Sequence, residues 1–174
     1  MKPRMVWTLF FFATLLLSLP SIAGEKRDHR DLDDCTCSPA KVAGAWGYSE
    51  TGTITLPAPY GTLPYASVGR FILDRDGIVS GERTASLGGM KLEATITGTA
   101  TVNPDCTGTV KLSFTDLSGN PAGTAEKDIV YVDNAREARM IITSTSSPLF
   151  GNLPAVLVTE AKKLSPDHCD DHGD

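Results

Sequence analysis

Histidine, cysteine and paired carboxylates are where side-chain chemistry usually begins, and this chain distributes them unevenly. His29, His168 and His172 are its three histidines, and all lie near the two ends. From Ser38 to Lys163 there is none, so the serines of that stretch have no imidazole to activate them and no His-rich metal site can form there. The tail Asp167-His168-Cys169-Asp170-Asp171-His172, together with Asp31, Asp33 and Asp34, has the residue types of a zinc set if the thiols stay reduced. An even count of four cysteines in an exported chain favours disulfides instead, so neither a metal nor a cofactor is expected. Cys35 and Cys37 are too close in sequence to bridge each other with good geometry. Each is left to pair with Cys106 or Cys169, and the expected pairs are Cys37 with Cys106 and Cys35 with Cys169.

Carboxylates offer the other route to chemistry. Trp46, Tyr48, Glu50, Gly52 and Ile54 share one face of a period-two run, so Glu50 points inward if Trp46 does. A buried carboxyl there could act as an acid or base. Glu82 is a second candidate, on a run whose face is ambiguous. The commoner outcome for each is an outward or rim-exposed side chain, because Glu is seldom buried without a partner. No residue is assigned a catalytic role, and the chain reads more as a non-enzyme than an enzyme.

The elements that would position these residues are strands. Lys91, Glu93, Thr95, Thr97, Thr99 and Thr101 alternate with Leu92, Ala94, Ile96, Gly98, Ala100 and Val102, and after Asn103-Pro104-Asp105-Cys106 the alternation resumes with Val110, Leu112 and Phe114. A period of two over this length means an antiparallel hairpin with one dry and one Thr-rich wet face. Eight such runs are expected, at about 43–55, 66–74, 78–86, 90–102, 107–116, 124–132, 137–145 and 155–164, separated by turn chemistry rather than helix caps. The fold class is all-β: an antiparallel up-and-down barrel of about eight strands, with a β-sandwich as the alternative.

In such a meander the tight turns at 74–77, 103–106 and 133–136 share one end with both chain termini, which gathers all four cysteines at the base. The opposite end carries two Pro-stiffened, uncharged connections, Leu56–Tyr65 and Ser146–Pro154, with Tyr60, Tyr65, Leu149 and Phe150 among their side chains. They are expected either to form a binding rim or to fold over the mouth and cap the core.

Residues 1–23 read as a signal peptide, with Lys2 and Arg4 before an apolar core and Ser21-Ile22-Ala23 at the cleavage site. The expected product is secreted or periplasmic and keeps no transmembrane segment. It comprises a charged tail over 24–37, a barrel domain over 38–164 and an acidic tail over 165–174. Of 174 residues 151 remain after removal of the first 23, and 14 basic against 21 acidic side chains leave a net charge of −7. That balance argues against nucleic acid as a partner.

Gly44-Ala45-Trp46 resembles the G-x-W signature of lipocalin-like (calycin) barrels. The resemblance implies that Trp46 plugs the closed end, with a basic residue of the last strand, Lys162 or Lys163, packed over it. The second motif of that family, T-D-Y, is absent. The barrel is also similar, at the level of fold, to the allene-oxide-cyclase and dirigent type. Gly44-x-Trp46, Val68-Gly69-Arg70-Phe71, Asp76-Gly77 and Val102–Thr109 together resemble short exported bacterial proteins of unassigned function, a likeness that implies no activity.

Three functions fit these features: a barrel that binds a small apolar ligand, a structural or envelope-interaction protein with a filled barrel, and a cofactor-free cyclase or isomerase. Binding ranks first. Its candidate ligand-binding residues are Trp46, Tyr48, Glu50, Tyr60, Tyr65, Phe71, Tyr131 and Phe150.

Overall fold

The computed structural model describes residues 36–164. A single turn of helix, α1 (Pro39–Val42), capped by Ser38, leads into nine strands. These are β1 (Gly44–Leu56), β2 (Gly61–Leu73), β3 (Ile78–Leu87), β4 (Met90–Val102), β5 (Thr107–Asp116), β6 (Pro121–Val132), β7 (Glu137–Ser147), the two-residue β8 (Gly151–Asn152) and β9 (Ala155–Lys163). Each long strand pairs antiparallel with the next, β6 pairs with β7, β7 with β9, and β9 returns to β1. The sheet therefore closes as an eight-stranded up-and-down barrel, with β8 as an extra on β7, and the sandwich alternative falls away.

Side-chain alternation makes the inside. Along β6, Ala125, Lys127, Ile129 and Tyr131 are buried while Thr124, Glu126, Asp128 and Val130 face out. Neighbouring strands fit by size. Tyr48 pairs with Gly69, whose missing side chain leaves room: a Cβ there would come within 2.7 Å of the Tyr48 ring and 2.3 Å of the Glu82 carbonyl.

The base is closed. Trp46 is fully buried, stacked on Phe71 with centroids 6.1 Å apart, and donates its Nε1–H to the Val42 carbonyl at 3.1 Å. Lys163 lies opposite Trp46 on β9, with its Nζ 5.7 Å from the ring centroid and 2.7 Å from the Lys41 carbonyl. This is the plug-and-cation arrangement that the G-x-W resemblance implies, with Lys163 rather than Lys162 in the role. Cys37 and Cys106 form a disulfide that ties the approach to β1 onto the β4–β5 turn, where the Cys37 amide also bonds the Pro104 carbonyl. Cys35 and Cys169 lie outside the described residues, as do the signal-peptide reading and the tail residues of the zinc reading.

The mouth differs from expectation. The connection read over 56–65 is mostly strand. Leu56 pairs with Gly61, the Thr55 and Thr62 hydroxyls bond at 2.8 Å, and only Pro57 to Tyr60 form a turn. Tyr65 therefore stands inside the barrel, buried, rather than on a loop. The second connection likewise folds back as β8. At the tips the Tyr60 and Phe150 rings meet with centroids 6.2 Å apart.

One seam is short. The β7–β9 ladder runs from Glu137↔Lys162 to Ile141↔Val158, whereas β1 and β9 pair from Trp46↔Lys163 to Ile54↔Ala155. Above that seam β7 and β9 part; there the Leu153 amide donates to the Thr145 carbonyl of β7 and the Pro154 carbonyl accepts from the Thr55 amide of β1.

Candidate functional site

Two apolar clusters divide the interior. The lower gathers Val42, Trp46, Leu73, Val79, Ile96, Val110, Ile129 and Tyr131 around the base, and the upper gathers Ile54, Tyr65, Ala85 and Leu157 below the mouth. Between them runs a layer of polar side chains drawn from five strands: Glu50 (β1), Ser67 (β2), Arg83 (β3), Lys127 (β6) and Thr159 (β9).

Glu50 is 3% exposed and Lys127 is 5% exposed, and the two form an ion pair in direct contact. Thr159 donates to Glu50 Oε1 at 2.9 Å, Lys127 donates to Thr159 Oγ1 at 2.9 Å, and Ser67 donates to Glu50 Oε2 at 3.3 Å. A buried carboxylate needs such a shell, because each lone pair stripped of water must find a donor. Burial pulls the Lys127 pKa below its ordinary value, with the Glu50 charge and hydrogen bond opposing that pull. Burial also raises the Tyr48 and Tyr65 phenols, and takes Tyr131 up to about 12, so all three are neutral at neutral pH.

Arg83 completes the layer. Its guanidinium lies over the Phe114 ring, with Cζ 3.5 Å from the centroid, and its Nη1 donates to the Tyr65 hydroxyl at 3.0 Å. Its Nε is buried without a partner.

The layer separates two spaces of different size. Below it a void of about 40 Å³ is lined by Trp46, Tyr48, Phe71, Ile129, Tyr131 and Met140, among others, and has room for about one water at about 30 Å³ each. Above it a cavity of about 320 Å³ opens at the mouth, walled by Ile54, Leu56, Leu87, Phe114, Leu153 and Leu157. Glu50, Arg83, Phe114 and Lys127 border both spaces.

The eight residues expected to bind a ligand thus separate by depth. Tyr65, Phe150 and Glu50 border the upper cavity; Trp46, Tyr48, Phe71, Tyr131 and again Glu50 border the lower void. Tyr60 borders neither and stands exposed at a hairpin tip, because the strands run on past the expected loop. Glu82 faces outward, paired with Thr95. Lys127 and Arg83 were missed. Both were present as a signal: stepping by two from Tyr131 and Ile129 reaches Lys127, and stepping by two from Ala85 reaches Arg83.

No family model matches the chain, and no curated protein does. Among solved structures it is similar to that of EF1p2_mFAP2b bound to DFHBI, at 12% sequence identity and a TM-score of 0.51, over 74% of this chain and 100% of that one. At such identity the likeness shows the fold, a closed antiparallel barrel.

Proposed function

We propose that this protein binds a small, largely apolar molecule in the open upper half of its barrel. The observation that carries the reading is the cavity of about 320 Å³ with apolar walls over a polar floor. That volume sits at the small end of ligand pockets, which run from about 300 to 1,000 Å³, and apolar walls with a few convergent polar groups are what such pockets present. The neighbouring barrel structure, described as bound to DFHBI, supports the same use of this architecture. The filled base favours the structural reading for the lower half alone, since Trp46, Phe71, Ile96 and Phe114 leave about 40 Å³ there. Export of the protein is part of this proposal, supported by the Cys37–Cys106 disulfide and by the apolar start of the sequence. Among the described residues no helix is long and apolar enough to cross a membrane.

Native mass spectrometry of protein from its own source tests the reading by looking for a co-purifying mass. Leu157, 4% exposed on the cavity wall, supplies the control. Leu157→Trp should fill the cavity and abolish the adduct while the circular dichroism spectrum keeps its strand signature. An adduct unchanged in that variant would place the ligand elsewhere.

A further inference from the structure

The floor of the upper cavity carries an imbalance of charge. Two cations, Arg83 and Lys127, face one carboxylate, Glu50. Glu50 is already engaged by Lys127, Thr159 and Ser67, on both of its oxygens. Arg83 forms no ion pair with any carboxylate among the described residues, and the one hydrogen bond it donates among them goes to Tyr65. A guanidinium has five N–H donors and stays charged at any ordinary pH. An Arg kept only for packing would satisfy those donors on backbone carbonyls or a carboxylate. This one instead lies over Phe114, is steadied by Tyr65, borders the upper cavity and keeps a buried, unpartnered Nε. A cation held in place by groups that leave its charge uncompensated is organised to receive an anion from outside.

We propose that the ligand is an amphiphilic carboxylate, its acid head received by Arg83 at the floor and its apolar body running up between Leu56, Leu87 and Phe150 to the mouth. The inference rests on the reading of the upper cavity as a ligand site and adds the chemistry of its occupant. The size follows from the volume: with about 30 Å³ for each water-sized group, 320 Å³ accepts about ten non-hydrogen atoms, the size of an eight-carbon acid. The Glu50 carboxylate argues the same selectivity from the other side. Three donors already reach it, and a cationic head would meet the Arg83 and Lys127 charges beside it, which outnumber the single carboxylate.

The test compares octanoate, octan-1-ol and octylammonium by isothermal titration calorimetry against the full chain and against Arg83→Gln. Octanoate should bind the unsubstituted protein about 10- to 100-fold more tightly than the alcohol, the range expected for hydrogen bonds to a charged group, and the ammonium should bind weakest. Arg83→Gln should bring octanoate down to the level of the alcohol and leave the alcohol within about threefold of its own value. Equal binding of acid and alcohol by the unsubstituted protein would overturn the carboxylate inference and leave the cavity reading standing. Binding of none of the three by folded protein would overturn the cavity reading as well. If Arg83→Gln loses its strand spectrum, the ranking of the three probes on the unsubstituted protein decides alone.

Discussion

Glu50→Gln keeps the shape of the side chain and removes its charge, which isolates what the buried pair does for the fold. At 3% and 5% exposure neither Glu50 nor Lys127 has water to fall back on. The Gln amide oxygen and the Thr159 hydroxyl, 2.9 Å away, can still accept from the Lys127 ammonium, but the buried charge then has no counter-charge. Breaking one side of a buried pair typically costs about 3–5 kcal/mol, and the surviving Thr159 contact sets the expectation near about 3. For a domain whose total stability is of the order of 5–15 kcal/mol this is a large fraction. Removing both charges with Glu50→Leu and Lys127→Met should behave quite differently. The double variant leaves no unpaired charge, and such replacements are commonly neutral or stabilising, by about 1–4 kcal/mol. The assay is equilibrium urea unfolding at pH 7, followed by far-ultraviolet circular dichroism, with m-values checked for constancy. A loss below about 1 kcal/mol in Glu50→Gln, or a double variant as damaged as the sum of the singles, would refute the description of the layer as a dry, mutually dependent pair.

Further outcomes follow from other parts of the molecule. Lys127 titrates below its ordinary 10.5 in the folded state, so the native protein releases this proton before the unfolded chain does, and the group's contribution to stability should rise as pH climbs through the folded value towards 10.5. The difference in unfolding free energy between the unsubstituted protein and Lys127→Met should rise across that range, while the raised Tyr48, Tyr65 and Tyr131 phenols pull both proteins the other way. Cys37→Ala should lower stability by about 2–4 kcal/mol in denaturant unfolding, because the bridge closes a loop spanning a sequence separation of 69. Asp133, Asn134 and Ala135 all have left-handed backbone, with φ of 50°, 54° and 61°. Asn134→Gly at the exposed middle position should raise the thermal midpoint slightly, consistent with relief of up to about 1 kcal/mol. Gly69→Ala should cost more than about 2 kcal/mol in the same unfolding assay, since its Cβ would collide with backbone and with the Tyr48 ring rather than with a side chain free to move.

Strand count, closure and the gathering of Cys37 with Cys106 were legible because period-two alternation and Asp-Gly or Asn-Pro turns are local signals. The β4–β5 hairpin from Met90 to Asp116 has the boundaries its alternation implies. Glu50 was placed on the correct face by its spacing from Trp46, yet burial was the rarer expectation for a carboxylate, because its partners come from strands far away in sequence. Lys127 sits 77 residues from Glu50 and Thr159 sits 109 residues from it. Flanked by Glu126 and Asp128, Lys127 reads locally as part of a solvated charge run, and only strict alternation with Ile129 and Tyr131 turns it inward. The mouth was misread for a different reason. Proline and aromatic residues at 57–65 look like loop composition, whereas strand pairing with Thr53 accommodates Pro64 and carries β2 down to Gly61.

The short seam between β7 and β9 bears on the order in which the barrel assembles. Every other step of the meander is a local hairpin that can zip as its turn forms, but β9 must dock at once on β7 and on β1, the strand at the far end of the sequence. Until it does, Glu50 has no Thr159 and the sheet remains open, with two unpaired edges exposed to other chains. Closure thus carries the largest loop-entropy cost and removes the Glu50–Lys127 charges from water in the same event, so it belongs late in folding. By the same logic the first motion of unfolding is β9 peeling from its short β7 seam while the disulfide holds the approach to β1 on the β4–β5 turn. Hydrogen exchange should then find Val158 to Lys162 less protected than β4 and β5, whose ladder stays paired while the last strand is away.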